Sequence, residues 1–221
     1  MTDITTTIEH RKIIVIIRKV YGEKLEKLVR ALYAGGIRLV EITYDQADPD
    51  CENRTSDAIQ LLYSNFPDDL IIGAGTVLTV GQVQAAYDAH AKFIISPNVD
   101  RDVIEKTKDL GMTSIPGAMT PSEILQAHKL GADFVKIFPA NDLGLQYIKD
   151  IKAPISHVKM LATGGVNEEN FAAHLSAGYI GAGISGRLTD KLFLESENYI
   201  ELTRRARFFH DIAKTFEPKG A

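Results

Sequence analysis

The 221-residue sequence predicts a (β/α)8 barrel, the TIM-barrel architecture, as a single domain over residues 1–221 with a short extra helix before the first strand. Three observations predict it. Eight short runs rich in β-branched and apolar residues alternate with longer amphipathic stretches, several of those stretches end in glycine or small residues, and no obvious linker divides the chain. Strands separated by helices need crossover connections, which imply parallel sheet, and chains of this length commonly form one α/β barrel. An open dinucleotide-binding sheet fits less well: KIIVIIRKVYGE holds one glycine and lacks G-x-G-x-x-G after the first strand.

In chain order, DITTTIEHR (3–11) is the short helix and KIIVII (12–17) the first strand. EKLEKLVRALY places Leu25, Leu28, Val29 and Leu32 on one helical face. RLVEIT (38–43) follows a glycine turn and leads into the polar stretch DQADPDCENRTSD (45–57). LIIGAG (70–75), KFIIS (92–96) and TSIPG (113–117) are the next strands. TPSEILQAHKL offers a threonine N-cap, a proline and an acidic first turn, as a helix start requires. DFVKIF (133–138), VKMLAT (158–163) and YIGAGI (179–184) complete the eight, and YIELTRRARFFHDIAKTF is the last helix. The glycines in LYAGGI, HKLGAD and LSAGYI stand where helices close through a left-handed residue.

Composition narrows the function. With 45% hydrophobic and 24% charged residues the chain is an ordinary globular protein, able to bury a core without disulfides. Its single cysteine, Cys51, has no internal partner, which fits a reducing cytoplasm. The longest early apolar run, Ile13 to Ile17, is too short for a signal peptide or a membrane span. A net charge of −4 without a basic block argues against nucleic acid. The six histidines show no ligand spacing, so no metal and no cofactor are expected, and no G-x-S-x-G elbow occurs.

FVKIFPAN (134–141) sets an ammonium group inside an apolar run. A lysine at a strand end can snorkel to solvent. Strand alternation gives a more specific reading: with Val135 and Ile137 toward the helices, Phe134, Lys136 and Phe138 face the barrel interior. RLVEIT likewise sends Leu39, Glu41 and Thr43 inward. Lys136 and Glu41 are then either a structural ion pair or catalytic groups near the carboxyl end of the strands, where barrel enzymes keep their chemistry. An apolar setting disfavours the ammonium form, and a neutral amine attacks carbonyls to form a Schiff base.

After the seventh run comes Thr163-Gly164-Gly165-Val166-Asn167, followed by the acidic helical start EENFAAHL, and with the eighth comes Gly181-Ala182-Gly183-Ile184-Ser185-Gly186. Each cluster alone reads as a turn. Together they occupy the recurrent phosphate position of this barrel class, where glycines let backbone N–H groups approach an anion.

The ordered motifs VEIT (40–43), GAGTV (73–77), ISPN (95–98), IPGAMTPSE (115–123), FVKIFPA (134–140) and ATGGVN (162–167) resemble the 2-keto-3-deoxy-6-phosphogluconate aldolase family, which includes 4-hydroxy-2-oxoglutarate aldolases. The resemblance runs from about Ile13 to Leu188. It implies a metal-free class I aldolase in which Lys136 forms the Schiff base with pyruvate or the 2-keto acid and Glu41 is the general acid/base. It places Thr76, Pro97, Phe138 and Thr163 around the keto acid, and Gly164, Gly165, Gly183, Ser185 and Gly186 at the phosphate end. The products implied are pyruvate and an aldehyde, and the assembly a homotrimer.

Three features depart from the family pattern. Asp45 stands where many members carry a carboxylate-binding arginine, so Arg18 at the end of the first strand is assigned that clamp. The 45–57 stretch is longer than usual and borders the active end, and Ser185-Gly186 reverses the usual order, leaving open whether the substrate is phosphorylated. The rival readings are a phosphosugar isomerase, epimerase or decarboxylase on the same barrel, which needs no imine, and a non-catalytic phosphosugar-binding protein.

Overall fold

The structure, a computed structural model, describes residues 3–216. Its strands are β1 (Ile13–Ile17), β2 (Leu39–Thr43), β3 (Ile71–Gly75), β4 (Phe93–Ile95), β5 (Thr113–Ile115), β6 (Gly117–Ala118), β7 (Val135–Ile137), β8 (Met160–Thr163) and β9 (Gly181–Ile184). All pair in parallel, in the order β5-β4-β3-β2-β1-β9-β8-β7-β6. The two ends of this order are halves of one predicted strand, TSIPG. Proline has no N–H to donate, so the ladder breaks at Pro116: β5 pairs with β4, and β6 pairs with β7 through Gly117 and Lys136. The sheet thereby closes around a ring, and the eight expected strands are present with the fifth divided.

Alternation sorts the apolar residues into two layers. Ile14, Leu39, Phe93, Ile95, Ile115, Phe134 and Leu161 fill the interior with Ile8 of α1 (Ile4–Arg11). Val15, Val40, Ile42, Val135 and Ile137 belong to the outer core beneath the helices. The inward assignments of Leu39 and Phe134 therefore hold. Asp3 caps α1 by accepting the N–H groups of Thr5 and Thr6, and fully buried Ile8 stoppers the amino end of the ring.

The remaining helices are α2 (Gly22–Ala34), α3 (Cys51–Asn65), α4 (Val80–Asp88), α5 (Arg101–Asp109), α6 (Pro121–Lys129), α7 (Ala140–Lys152), α8 (Phe171–Ala177), α9 (Lys191–Glu195) and α10 (Tyr199–Thr215). On α2 the buried face is the predicted Leu25, Leu28, Val29 and Leu32. Thr120 and Glu123 form a reciprocal capping box at the start of α6. Gly36, Gly131 and Gly178 close their helices at φ of +101°, +93° and +120°. Among the described residues no helix is long and apolar enough to cross a membrane.

Candidate active site

Lys136 is central in β7 and 9% exposed, its N–H donating to the carbonyl of Pro116. Its Nζ lies 5.1 Å from the ring centroid of Phe138. Glu41 is central in β2 and 1% exposed, and its Oε2 has no hydrogen-bond partner. The carboxylate fits because β3 ends in Gly75, where a Cβ would lie 2.5 Å from Glu41 Cγ and closer still to the carboxyl group.

The two groups perturb each other. Burial pushes the Glu41 carboxyl up to about 6, against the opposing pull of Lys136 and Arg18. Burial holds the Lys136 ammonium below its usual range, Glu41 raises it in part, and Arg18 lowers it further. Arg18 directly follows β1, is exposed, and forms no salt bridge among the described residues. Its neighbour Lys19 pairs with Asp45 at 2.8 Å and holds that carboxyl below its usual range. The Asp45 charge is thus matched chiefly by Lys19, and Arg18 acts on Asp45 as well as on Glu41 and Lys136.

The residues assigned to the keto acid lie at the carboxyl ends of β3, β4, β7 and β8. Thr76 follows β3 at φ +56°, a left-handed conformation that costs a non-glycine residue about 1 kcal/mol. Its carbonyl accepts the Gln46 amide at 2.7 Å, and Gln46 in turn accepts from buried Gln82 at 3.0 Å. Sequence reasoning missed this amide pair, although Gln46 belongs to the polar 45–57 stretch. The rest of that stretch is not all loop, since α3 begins at buried Cys51. Pro97, after β4, is exposed and its backbone packs on Gly117. Phe138 is half exposed, so it rims the mouth and does not fill the interior beside Phe134. Its ring packs against Gly164, where a Cβ would sit 3.4 Å away. Thr163 ends β8, buried, with Oγ1 2.9 Å from the Cβ position of Gly183.

Both glycine loops open on this end. Gly164 and Gly165 adopt φ of +93° and +74°. The Gly164 carbonyl accepts the Asn141 N–H at 3.1 Å and the Gly165 carbonyl accepts Asn170 Nδ2 at 2.9 Å. After β9, the Ser185 carbonyl accepts the N–H groups of Leu188 and Thr189, and exposed Gly186 turns the chain. Among the described residues the N–H groups of Gly165, Val166, Gly186 and Arg187 donate to no protein acceptor. Arg187 pairs with Glu168 at 2.7 Å, tying one loop to the other. The helical start expected at Glu168 lies three residues later, at Phe171. Asn167 Oδ1 accepts the N–H groups of Glu169 and Asn170, which favours turns there over helix.

A family model for KDPG and KHG aldolase matches residues 4–205. The chain is 36% identical over 179 residues to a probable 2-dehydro-3-deoxy-6-phosphogalactonate aldolase of Rhizobium meliloti, covering 80% of this chain and 82% of that one. A solved native KDPGal structure superposes with a TM-score of 0.82 at 32% identity, over 92% of this chain and 95% of that one. The KDPG aldolase of Legionella pneumophila, solved with pyruvate captured as a covalent carbinolamine, superposes with a TM-score of 0.79 at 27% identity, covering 98% and 99%. With the motif order, the barrel and the paired buried charges in agreement, the chain belongs to the KDPG and KHG aldolase family.

Proposed function

We propose that the chain is a class I aldolase that cleaves 2-keto-3-deoxy-6-phosphogluconate, or a related 2-keto acid such as 4-hydroxy-2-oxoglutarate, reversibly to pyruvate and an aldehyde. The aldehyde is glyceraldehyde 3-phosphate or glyoxylate accordingly. One observation carries the reading: a buried amine and a buried carboxylate share the active end of the barrel, each shifted toward its neutral form.

The shifts suit the chemistry. Neutral Lys136 attacks the substrate ketone, and Glu41 supplies and removes the protons of carbinolamine formation and dehydration. In the resulting iminium the cation is an electron sink. Transfer of the C4 hydroxyl proton to the Glu41 carboxylate, directly or through water, lets the C3–C4 electron pair flow into it, releasing the aldehyde and leaving a neutral enamine. Protonation at C3 by Glu41, directly or through water, and hydrolysis of the imine return the amine and release pyruvate. Arg18 holds the substrate carboxylate, while Thr76, Pro97, Phe138 and Thr163 surround the keto acid. Gly164, Gly165, Gly183, Ser185 and Gly186 receive a terminal phosphate, a reading supported by the unpaired N–H groups of the two loops.

Borohydride reduction in the presence of pyruvate tests the scheme: mass spectrometry is expected to find the adduct on Lys136, and Lys136→Ala to lose both adduct and turnover. Carbon–carbon cleavage that survives in that variant rules the imine out. The same reading takes the enzyme to be a cytoplasmic homotrimer, and half-exposed Leu78, Val80, Met119 and Phe138 near the mouth supply apolar surface for a subunit contact. Light scattering that returns one or two chains per particle overturns the trimer.

A further inference from the structure

Asn170 occupies the N-cap position of α8 yet makes no side-chain cap bond to that helix. An N-cap asparagine ordinarily accepts from the helix's own first-turn N–H groups. Here the amide turns back onto the loop after β8. Its Nδ2 donates to the Gly165 carbonyl at 2.9 Å and to Asn141 Oδ1 at 3.3 Å, and its Oδ1 accepts the Asn167 N–H at 2.8 Å. Asn141 contributes a second hold, donating its N–H to the Gly164 carbonyl at 3.1 Å.

Peptide planarity turns these bonds into a direction. In a trans peptide the carbonyl and the following N–H point oppositely. Fixing the Gly164 carbonyl on Asn141 therefore aims the Gly165 N–H away from α7 and α8, and fixing the Gly165 carbonyl on Asn170 does the same for the Val166 N–H. Among the described residues these two consecutive donors have no protein acceptor, as is true of Gly186 and Arg187 in the facing loop. Glycine is needed at 165 for room as well as for φ, since a Cβ there would lie 2.9 Å from Asn141 Cγ and closer to its Cβ.

We propose that Asn170, assisted by Asn141, is a positioning residue that orients the Gly165 and Val166 N–H groups toward the anionic end of the substrate. The inference rests on the phosphate reading above and adds what sets that site's geometry. Selectivity for a phosphorylated aldehyde then depends on a side chain that touches neither the phosphate nor the reacting carbons.

Asn170→Ser tests it, because serine is itself a good N-cap and keeps α8 stable, yet is too short to bridge to Gly165. The readout is aldol addition of pyruvate to glyceraldehyde 3-phosphate, compared with addition to unphosphorylated glyceraldehyde. For Asn170→Ser the expected change is a rise of about tenfold in KM for the phosphorylated aldehyde, within the range for losing aligned donors to a charged group. KM for glyceraldehyde and kcat for both are expected to stay within about twofold, with an unchanged pH profile. Inorganic phosphate is expected to inhibit the variant about tenfold more weakly. A folded Asn170→Ser enzyme with the wild-type KM ratio and phosphate inhibition overturns the proposal. A wild-type enzyme that handles both aldehydes alike and ignores phosphate removes the phosphate reading, and this inference with it.

Discussion

Gly75→Ala tests the role of Glu41 without altering any ionisable group. The added methyl would stand 2.5 Å from Glu41 Cγ, where ordinary contact begins at 3.4 Å, so the stem of the side chain must retreat by about 0.9 Å and the carboxyl group by more. Glu41 is 1% exposed, leaving it no route to solvent. Misplacement of a reacting group by about 1 Å costs on the order of 10²-fold in rate, and loss of general acid/base catalysis costs roughly 10²–10⁴-fold. The expectation is a fall of about 10²-fold or more in kcat for pyruvate release, followed by coupling to lactate dehydrogenase. Overpacking costs roughly 1–3 kcal/mol, so a melting curve run alongside is expected to show a folded protein. Lys136 is untouched, and borohydride is expected still to trap pyruvate, at a slower rate. A folded Gly75→Ala enzyme within threefold of the wild-type rate refutes the assignment of proton transfer to Glu41.

Other consequences follow from the same charges. The Glu41 carboxyl, raised to about 6, must be ionised to act as a base, so kcat/KM is expected to fall as pH drops through about 6, and this acid limb to disappear in Glu41→Gln. Because the folded-state pKa exceeds the unfolded value near 4.5, the favourable contribution of protonated Glu41 is complete below 4.5 and is lost as pH rises through about 6. Urea unfolding at pH 8 is therefore expected to find Glu41→Gln about 2 kcal/mol more stable than wild type, a gap that closes below pH 4.5. Arg18→Ala is expected to raise the pyruvate KM about tenfold with a smaller effect on kcat, and an unchanged KM removes the carboxylate clamp from Arg18.

The layer arrangement of the barrel and the burial of its two inward charges were legible because a strand repeats every two residues: in VEIT and FVKIF the same alternation that buries Val40 and Val135 under helices turns Glu41 and Lys136 inward. Helix ends were legible where glycine or a threonine–glutamate pair marks them, as at Gly131 and Thr120. What escaped was whatever depends on two distant segments meeting. TSIPG read as one strand, and neither its division at Pro116 nor the closure of the ring across that point was visible. Gly75 was not singled out within LIIGAG, because the carboxylate that needs its space comes from another strand. The Asp45 departure looked repulsive until Lys19, which the chain brings alongside, supplied the countercharge. Gln46, Asn141 and Asn170 carried no pattern, since an amide shows its purpose only through the carbonyl it meets.

Helix α1 bears on how the proposed substrates come and go. With Ile8 plugging the far side of the ring, the proposed scheme has ketone and aldehyde use the opposite, carboxyl end, with the fragment bonded to Lys136 innermost. In that scheme the bond to Lys136 retains the pyruvate fragment until the aldehyde has gone, and the closed end leaves the departing aldehyde the opposite side as its way out.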